Sequence, residues 1–123
     1  MTRYLFFLAA ALSLRGEDLG KALTFHASFD KGTEADFALG DKRIYTATSY
    51  KDRGDARPGF DGADVGIAAA DGRYGAALQF KKKNTKAIFY QAEKNVAYRS
   101  KDWSGTVSFW LSLDPDQDLE PGF

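Results

Sequence analysis

The strongest constraint on the fold of this chain is residues 106–113, where apolar and polar side chains alternate strictly. Every second residue from Val107 to Leu113 is apolar, and the positions between them carry Ser108, Trp110 and Ser112. Successive side chains of a β-strand point to opposite faces, so the pattern predicts a strand with one face in a core and the other nearer water. Burial on one face only is typical of an antiparallel sheet.

Two earlier segments alternate in the same way. In residues 23–29 the four apolar side chains fall on one face, which we expect to point inward. Residues 76–80 place Leu78 and Phe80 inward, directly after a glycine-marked turn at 72–75. Both segments therefore predict strands that pack against the same core as residues 106–113.

Further strands are predicted where β-branched, aromatic or apolar residues are bounded by turn residues. These segments are residues 44–50, 65–70 and 87–92. The basic residues 81–86, centred on Asn84, predict an exposed hairpin tip, with 87–92 as the return strand from 76–80. Residues 93–103 predict a polar connection. Short strands with glycine-rich turns at this spacing predict an all-β, antiparallel sandwich.

Three motifs, taken in order, resemble the laminin-G-like, concanavalin A-like jelly-roll family. They are Leu-Thr-Phe-His-Ala-Ser-Phe-Asp at 23–30, Gly-x-x-Gly-x-Ala-Leu-x-Phe at 72–80 and Gly-Thr-Val-Ser-Phe-Trp-Leu at 105–111. The resemblance covers roughly residues 22–123. It implies a two-sheet jelly roll that is usually non-catalytic, often extracellular, and often binds glycans or other proteins. The assignment requires Phe25, Leu78 and Phe109 to face a covering layer.

Length and composition narrow the class of protein. With 123 residues the chain holds one domain at most. Seventeen basic residues balance seventeen acidic ones, so no overall field favours nucleic acid or an anionic membrane as a partner. The chain has no cysteine, and His26 is the only histidine. This excludes a thiolate metal site and argues against a catalytic triad built on histidine.

The N-terminus predicts a secretory signal peptide at residues 1–13. Arg3 precedes an uninterrupted apolar run, and Ala11 and Ser13 are small residues at the positions that a signal peptidase reads. The run is shorter than the about 20 apolar residues that cross a bilayer, so we expect no transmembrane segment. A secreted or cell-surface protein without disulfides suits a bacterial source. The alternative is that the run is a buried element of the domain.

The predicted strands are too few for a complete jelly roll, which has at least about eight. We therefore expect an incomplete sandwich, in which residues 22–123 are the N-terminal portion of a longer domain. Residues 107–113 would then lack the neighbours with which they pair. An uncovered apolar strand is an aggregation hazard, so we expect the isolated chain to be poorly soluble or unstable.

Aromatic side chains are the candidate ligand contacts. Trp110 falls on the Ser/Thr face of its predicted strand, where an indole is a suitable platform for the apolar side of a sugar ring. Tyr90 and Tyr98 are weaker candidates for the rim of such a site. The alternative for Trp110, which the usual burial of large aromatic side chains favours, is that a loop covers it. Trp103 is expected to close one end of the sandwich.

The resemblance also implies a structural Ca²⁺, because sandwich lectins often hold one with carboxylates and backbone oxygens. Ca²⁺ takes about six to eight oxygens, so Asp30 would need Asp36 or Asp64 beside it. The alternative, favoured because aspartate bonds nearby backbone in turns, is that Asp30 caps a turn. Residues 114–118 carry alternate carboxylates but lack the glycine and final glutamate of an EF-hand, and they predict a solvated acidic loop.

A basic cluster at residues 81–86 could form a patch with Arg73 and Lys94 for acidic or sulfated glycans. The alternative, which we favour, is a charged hairpin tip that discourages edge pairing. No aromatic residue lies among the lysines, which weakens a nucleic-acid interpretation. The tripeptide Arg-Gly-Asp at 53–55 matches an adhesion motif but lies in a run already rich in these residues, so it carries little weight.

No catalytic motif emerges. Glucanases of this fold use a strand of the form Glu-x-Asp-x-x-Glu, and in the nearest match, residues 34–39, Leu39 replaces the second glutamate. We therefore expect a secreted, non-catalytic module that binds a glycan or an extracellular protein. The alternatives are a structural spacer of a larger surface protein or enzyme, and a fragment of a glycoside hydrolase.

Overall fold

The computed structural model describes residues 19–60 and 62–114. These residues are organised mainly as short β-strands joined by turns. The helical elements are α1 (Leu19–Ala22) and a 3₁₀ turn (Arg53–Asp55). The strands are β1 (Phe25–His26), β2 (Phe37–Ala38), β3 (Ile44–Ala47), β4 (Arg57–Pro58), β5 (Val65–Ala68), β6 (Ala77–Phe80) and β7 (Ala87–Tyr90).

The strands form three small sheets. β1 pairs with β2, β5 pairs with β6, and β3 lies between β4 and β7 in a three-stranded sheet. Every pairing within the described ranges is antiparallel, which confirms the predicted all-β, antiparallel class. None of the helices in these ranges is long and apolar enough to cross a membrane.

The central strand β3 is the most buried element. Ile44 and Ala47 are almost inaccessible to solvent, and the ring of Tyr45 stacks on its cross-strand partner Phe89 with centroids 6.1 Å apart. Aromatic cross-strand pairs of this kind stabilise a sheet beyond the area they bury. β4 and β7 pair with β3 along its two edges, so the predicted strand at 44–50 forms the centre of the sheet.

The buried residue Asn95 joins the segment after β7 to Thr24 and to the turn between β2 and β3. Asn95 is 4% exposed, and its Oδ1 accepts from the N–H of Gly40 at 2.8 Å. Its Nδ2 donates to the carbonyls of Asp41 and Gln91, both at 2.8 Å, while the Thr24 hydroxyl donates to its backbone carbonyl. The predicted polar connection at 93–103 therefore contains a residue of the interior, because hydrogen bonds satisfy every polar group of this side chain.

The first predicted strand is shorter in the structure. Only Phe25–His26 of residues 23–29 forms a strand, and the chain turns at Phe29, whose φ is 67°. A positive φ is incompatible with a strand, so it ends the extended segment. Gly32 then donates to the carbonyl of Phe29, which closes a turn directly after this segment. Phe25 is half-buried, as its inward position requires.

The predicted hairpin between β6 and β7 is wrong. β6 pairs with β5 and β7 pairs with β3, so residues 81–86 cross from one sheet to another. Asn84 folds this connection locally: its Oδ1 accepts from the N–H of Lys86 and its Nδ2 donates to the same residue's carbonyl. Both segments are strands, as predicted, but local sequence does not decide which edges they join.

The prediction of a paired strand at residues 106–113 is also wrong. Residues 103–114 form neither helix nor strand, and Phe109 is 72% exposed. Phe80, predicted to point inward, is 56% exposed, whereas Leu78 is half-buried. Alternation shows that a segment could bury one face, but residues 103–114 pair with no strand among the described residues. Phe80 pairs with Val65 across β5 and β6, so pairing alone does not bury its side chain. Phe25 and Leu78 are half-buried but Phe109 is exposed, so the requirement that the laminin-G-like resemblance places on these three residues is not met.

Two predictions lie outside the described residues. These are the signal peptide at 1–13 and the acidic loop at 114–118, of which only Asp114 is described.

Tyr90 predicts a loss of stability at alkaline pH. Its hydroxyl donates to the carbonyl of Thr33 at 2.7 Å, and its ring meets Phe25 edge to face. Burial, together with the negative charge of Asp36, raises the pKa of Tyr90 to about 12. Below about pH 10 the phenol is protonated in both the folded and unfolded chain. Between about pH 10 and 12 the unfolded chain ionises first, so the free energy of unfolding falls.

Chemical denaturation across this pH range measures the effect. We expect Tyr90→Phe to make the alkaline decline shallower, at the cost of the hydrogen bond to Thr33. Tyr50→Phe alters a tyrosine that is 72% exposed and should leave the decline unchanged. An equal change in both variants would contradict this role for Tyr90.

Candidate functional site

The site begins with a turn that links β5 to β6. The N–H of Gly72 donates to the carbonyl of Gly75 at 2.8 Å, which closes residues 72–75 into a tight loop. The carboxylate of Asp30 accepts from the N–H of Ala76 at 2.7 Å and so fixes this loop to the end of the first motif. A Cβ on Gly75 would overlap the same carboxylate. A glycine at position 75 therefore lets the Asp30 carboxylate approach the backbone closely.

This turn presents two side chains to solvent, Arg73 and Tyr74. The ring of Tyr74 lies 5.9 Å from the ring of Trp110 in an edge-to-face arrangement. The guanidinium carbon of Arg73 lies 5.6 Å from the Tyr74 centroid and 5.5 Å from that of Trp110, within range of a cation–π interaction with both. We call these three residues the Arg73–Tyr74–Trp110 platform.

Both rings of the platform remain accessible. Tyr74 is 81% exposed and Trp110 is 70% exposed. The alternative in which a loop covers Trp110 is therefore not what the described residues show. Exposed aromatic rings that touch each other form an apolar surface, which tends to be a contact surface for a ligand.

The platform brings together the three motifs of the sequence. Asp30 ends the first motif and binds the second at Ala76, and Tyr74 of the second motif packs on Trp110 of the third. Residues far apart in the chain thus meet at one turn. This convergence could not be read from the motifs separately, because it depends on non-local contacts.

The other aromatic candidates lie elsewhere. Tyr90 is half-buried in β7 and its hydroxyl is bonded to Thr33, so its side chain contributes to packing and is not available to a ligand. Tyr98 is exposed, but its ring contact, at 5.7 Å, is with Trp103. Tyr98 and Trp103 form a second aromatic pair, distinct in its contacts from the platform.

The three candidate calcium ligands are bound to different partners. Asp30 binds Ala76, Asp36 accepts from the N–H of Ser28 at 2.7 Å, and Asp64 forms an ion pair with Lys82 at 2.8 Å. Within residues 19–60 and 62–114 no three His, Cys, Asp or Glu side chains gather in a way that could hold a metal ion. The favoured alternative, in which Asp30 bonds nearby backbone in a turn, differs from the structure: its carboxylate accepts from the N–H of Ala76, 46 residues further along the chain.

Two of the four lysines in the connection at 81–86 contact the turn before β5. The Nζ of Lys81 donates to the carbonyl of Gly62 at 3.3 Å, and Lys82 is paired with Asp64. These contacts hold the connection against the turn before β5. Their charge is thus partly used in fixing the fold.

An open cavity of about 300 Å³ lies between the β2–β3 turn and the segment after β7. Asp41 is one of its lining residues, and its carboxylate accepts from Arg43 at 2.7 Å and from the Tyr45 hydroxyl at 2.6 Å. The guanidinium of Arg43, followed by the Tyr45 hydroxyl, holds the pKa of Asp41 well below its usual range. Because this carboxylate is already bound to the protein, the cavity is a weaker candidate than the platform.

Comparisons with protein-family models, with curated proteins and with solved structures found no match. The function must therefore be inferred from the chain's own residues. Among these, Tyr74 was not identified from the sequence. A signal was present, since an aromatic residue inside a Gly-x-x-Gly turn has little surface against which to be buried.

Proposed function

We propose that this protein is a secreted, non-catalytic carbohydrate-binding module, with its ligand on the Arg73–Tyr74–Trp110 platform. The observation that carries the proposal is the exposed, mutually touching pair of Tyr74 and Trp110 rings. The C–H face of a sugar ring is apolar while its edge is polar. Exposed aromatic rings suit this shape, because they remove the apolar face from water and leave the hydroxyls solvated.

The described residues agree with the laminin-G-like resemblance in part, but its third motif forms no strand and leaves Phe109 exposed. The described chain is all-β and antiparallel, as that class requires. Its three motifs also contact one another through Asp30, Ala76, Tyr74 and Trp110. The apolar run that follows Arg3 supports secretion.

The lowered pKa of Asp36 argues against a role for this residue as a general acid. This residue belongs to the segment nearest to a glycosidase motif, where a general acid would need a raised pKa. The backbone N–H and the hydroxyl of Ser28, and then the charge of His26, instead hold the pKa of Asp36 below its ordinary value. A carboxyl group stabilised in its ionised form is a poor proton donor at neutral pH.

A glycan array followed by titration calorimetry tests the proposal. We expect the full chain to bind at least one saccharide class, and Trp110→Ala to weaken that binding by roughly tenfold or more, because aromatic anchors carry a large share of binding energy. Because Trp110 is largely exposed, its removal should leave the unfolding transition nearly unchanged.

Trp103→Ala is the matched control, since it removes a second partly exposed indole whose ring contact is with Tyr98. It should leave binding unaffected. Absence of binding to every saccharide would indicate a spacer rather than a binding module. Loss of binding in Trp103→Ala but not in Trp110→Ala would overturn the placement of the ligand.

A further inference from the structure

Arg73 gives the platform a permanent positive charge. Its guanidinium contacts the rings of Tyr74 and Trp110, and no carboxylate among residues 19–60 and 62–114 pairs with it. Arg43, by contrast, is paired with Asp41 at 2.7 Å. The charge of Arg73 is thus available to a ligand.

The chemistry of an arginine beside two rings is specific. A guanidinium is a planar fork of donors that matches a carboxylate in a two-point hydrogen bond. The rings of Tyr74 and Trp110 match an apolar face. A uronic acid carries both features on one pyranose ring, because its carboxylate projects from the edge of the ring whose C–H face can stack.

We propose that the Arg73–Tyr74–Trp110 platform selects carboxylated saccharides, with Arg73 binding the uronate group while the two rings hold the sugar. This inference rests on the proposed function, since it names the class of sugar bound at the same site. Arg73 is the specificity-determining residue, and Tyr74 and Trp110 supply affinity for the ring itself.

The first two lysines of the connection at 81–86 are less suited than Arg73 to bind a carboxylate. Lys81 donates to Gly62 and Lys82 is paired with Asp64, so both ammonium groups are directed at the protein. An ammonium also lacks the planar fork that fits a carboxylate. A site that depended on these lysines would attract any polyanion and would respond strongly to salt.

The test compares each acid polymer with its own methyl ester, in which the carboxylate charge is removed from the same backbone. Binding of the full chain is measured to polygalacturonate, alginate and hyaluronate, to the methyl ester of each, and to dextran sulfate. We expect at least one acid polymer to bind roughly tenfold more tightly than its ester, as expected for a charge-assisted two-point contact. Arg73→Gln should remove that difference while leaving weak binding to the ester.

Arg57→Gln is the matched control, because it removes the same charge from an exposed position in β4. It should bind the acid polymers as the unchanged protein does. Equal binding of acid and ester, both weakened by Trp110→Ala, would overturn the inference and leave the proposed function intact. Equal losses in the two arginine variants, or tighter binding to dextran sulfate, would show general attraction to polyanions and also overturn it. Absence of binding to all seven probes would overturn the inference that the platform selects carboxylated saccharides. The glycan array tests the proposed function separately.

Discussion

Replacing Asn95 with alanine is expected to lower the free energy of unfolding by about 3 kcal/mol. The side chain is nearly inaccessible and bonds to Gly40, Asp41 and Gln91. Its removal leaves one backbone N–H and two carbonyls to find other partners in a partly closed region, and each unpaired buried group is costly. Urea denaturation monitored by circular dichroism measures the change in midpoint and slope.

Two variants sharpen this prediction. Asn95→Asp keeps the acceptor for Gly40 but places a carboxylate oxygen against the carbonyls of Asp41 and Gln91, so it should be at least as destabilising at neutral pH. Asn84→Ala removes an asparagine whose hydrogen bonds are local, both to Lys86, and should cost less than about 1 kcal/mol. If Asn95→Ala and Asn84→Ala had equal effects, Asn95 would not hold the interior together.

Replacing Gly72 with alanine is expected to cost about 2–3 kcal/mol and to disrupt the platform. An added Cβ would overlap the backbone carbonyl of Ala76 and crowd that of Gly75. Backbone atoms cannot move aside without opening the turn, and the turn carries Arg73 and Tyr74. The measurement is again urea denaturation, combined with saccharide binding under conditions where the variant remains folded.

Two other glycines calibrate this result. Gly75→Ala should cost less than Gly72→Ala, because the group it meets is the carboxylate of Asp30, which can rotate away at the expense of its bond to Ala76. Gly54→Ala places its Cβ in open space and should be neutral or slightly stabilising. A Gly72→Ala protein as stable as Gly54→Ala would mean that the turn does not have the closure described.

Local patterns were sufficient to predict most of the strands. Four predicted segments contain β3, β5, β6 and β7 in the structure, because side-chain alternation and flanking turn residues act over a few positions. The ends of these strands were less accurate. β3 stops at Ala47 because the hydroxyls of Thr48 and Ser49 both donate to Asp52 and draw the chain into a turn.

The partners of these strands could not be predicted in the same way. Adjacent β6 and β7 looked like a hairpin, yet they join different sheets. Residues 106–113 have the clearest strand pattern of the chain and form no strand in the described structure. A strand needs an edge to bind, and the choice of edge depends on every other strand competing for it.

The candidate site shows the same division. Trp110 could be selected from its position on the polar face of an alternating segment, and Arg73 from its charge. Tyr74 is identified as part of the site only from the structure, in which the turn at 72–75 contacts the third motif. Asp30 was favoured as the cap of a local turn, but its carboxylate binds the distant Ala76, a contact that could not be identified from local sequence.

By itself, the amino-acid sequence determined the all-β class, the antiparallel character and the turn at residues 72–75, because these depend on neighbouring residues and on the two-residue period of a strand. Only the tertiary structure decided which strands pair, that Asn95 is buried, and that Arg73, Tyr74 and Trp110 share one exposed surface. These outcomes depend on contacts between residues far apart in the chain, whose energies are set by the whole fold and not by any local pattern.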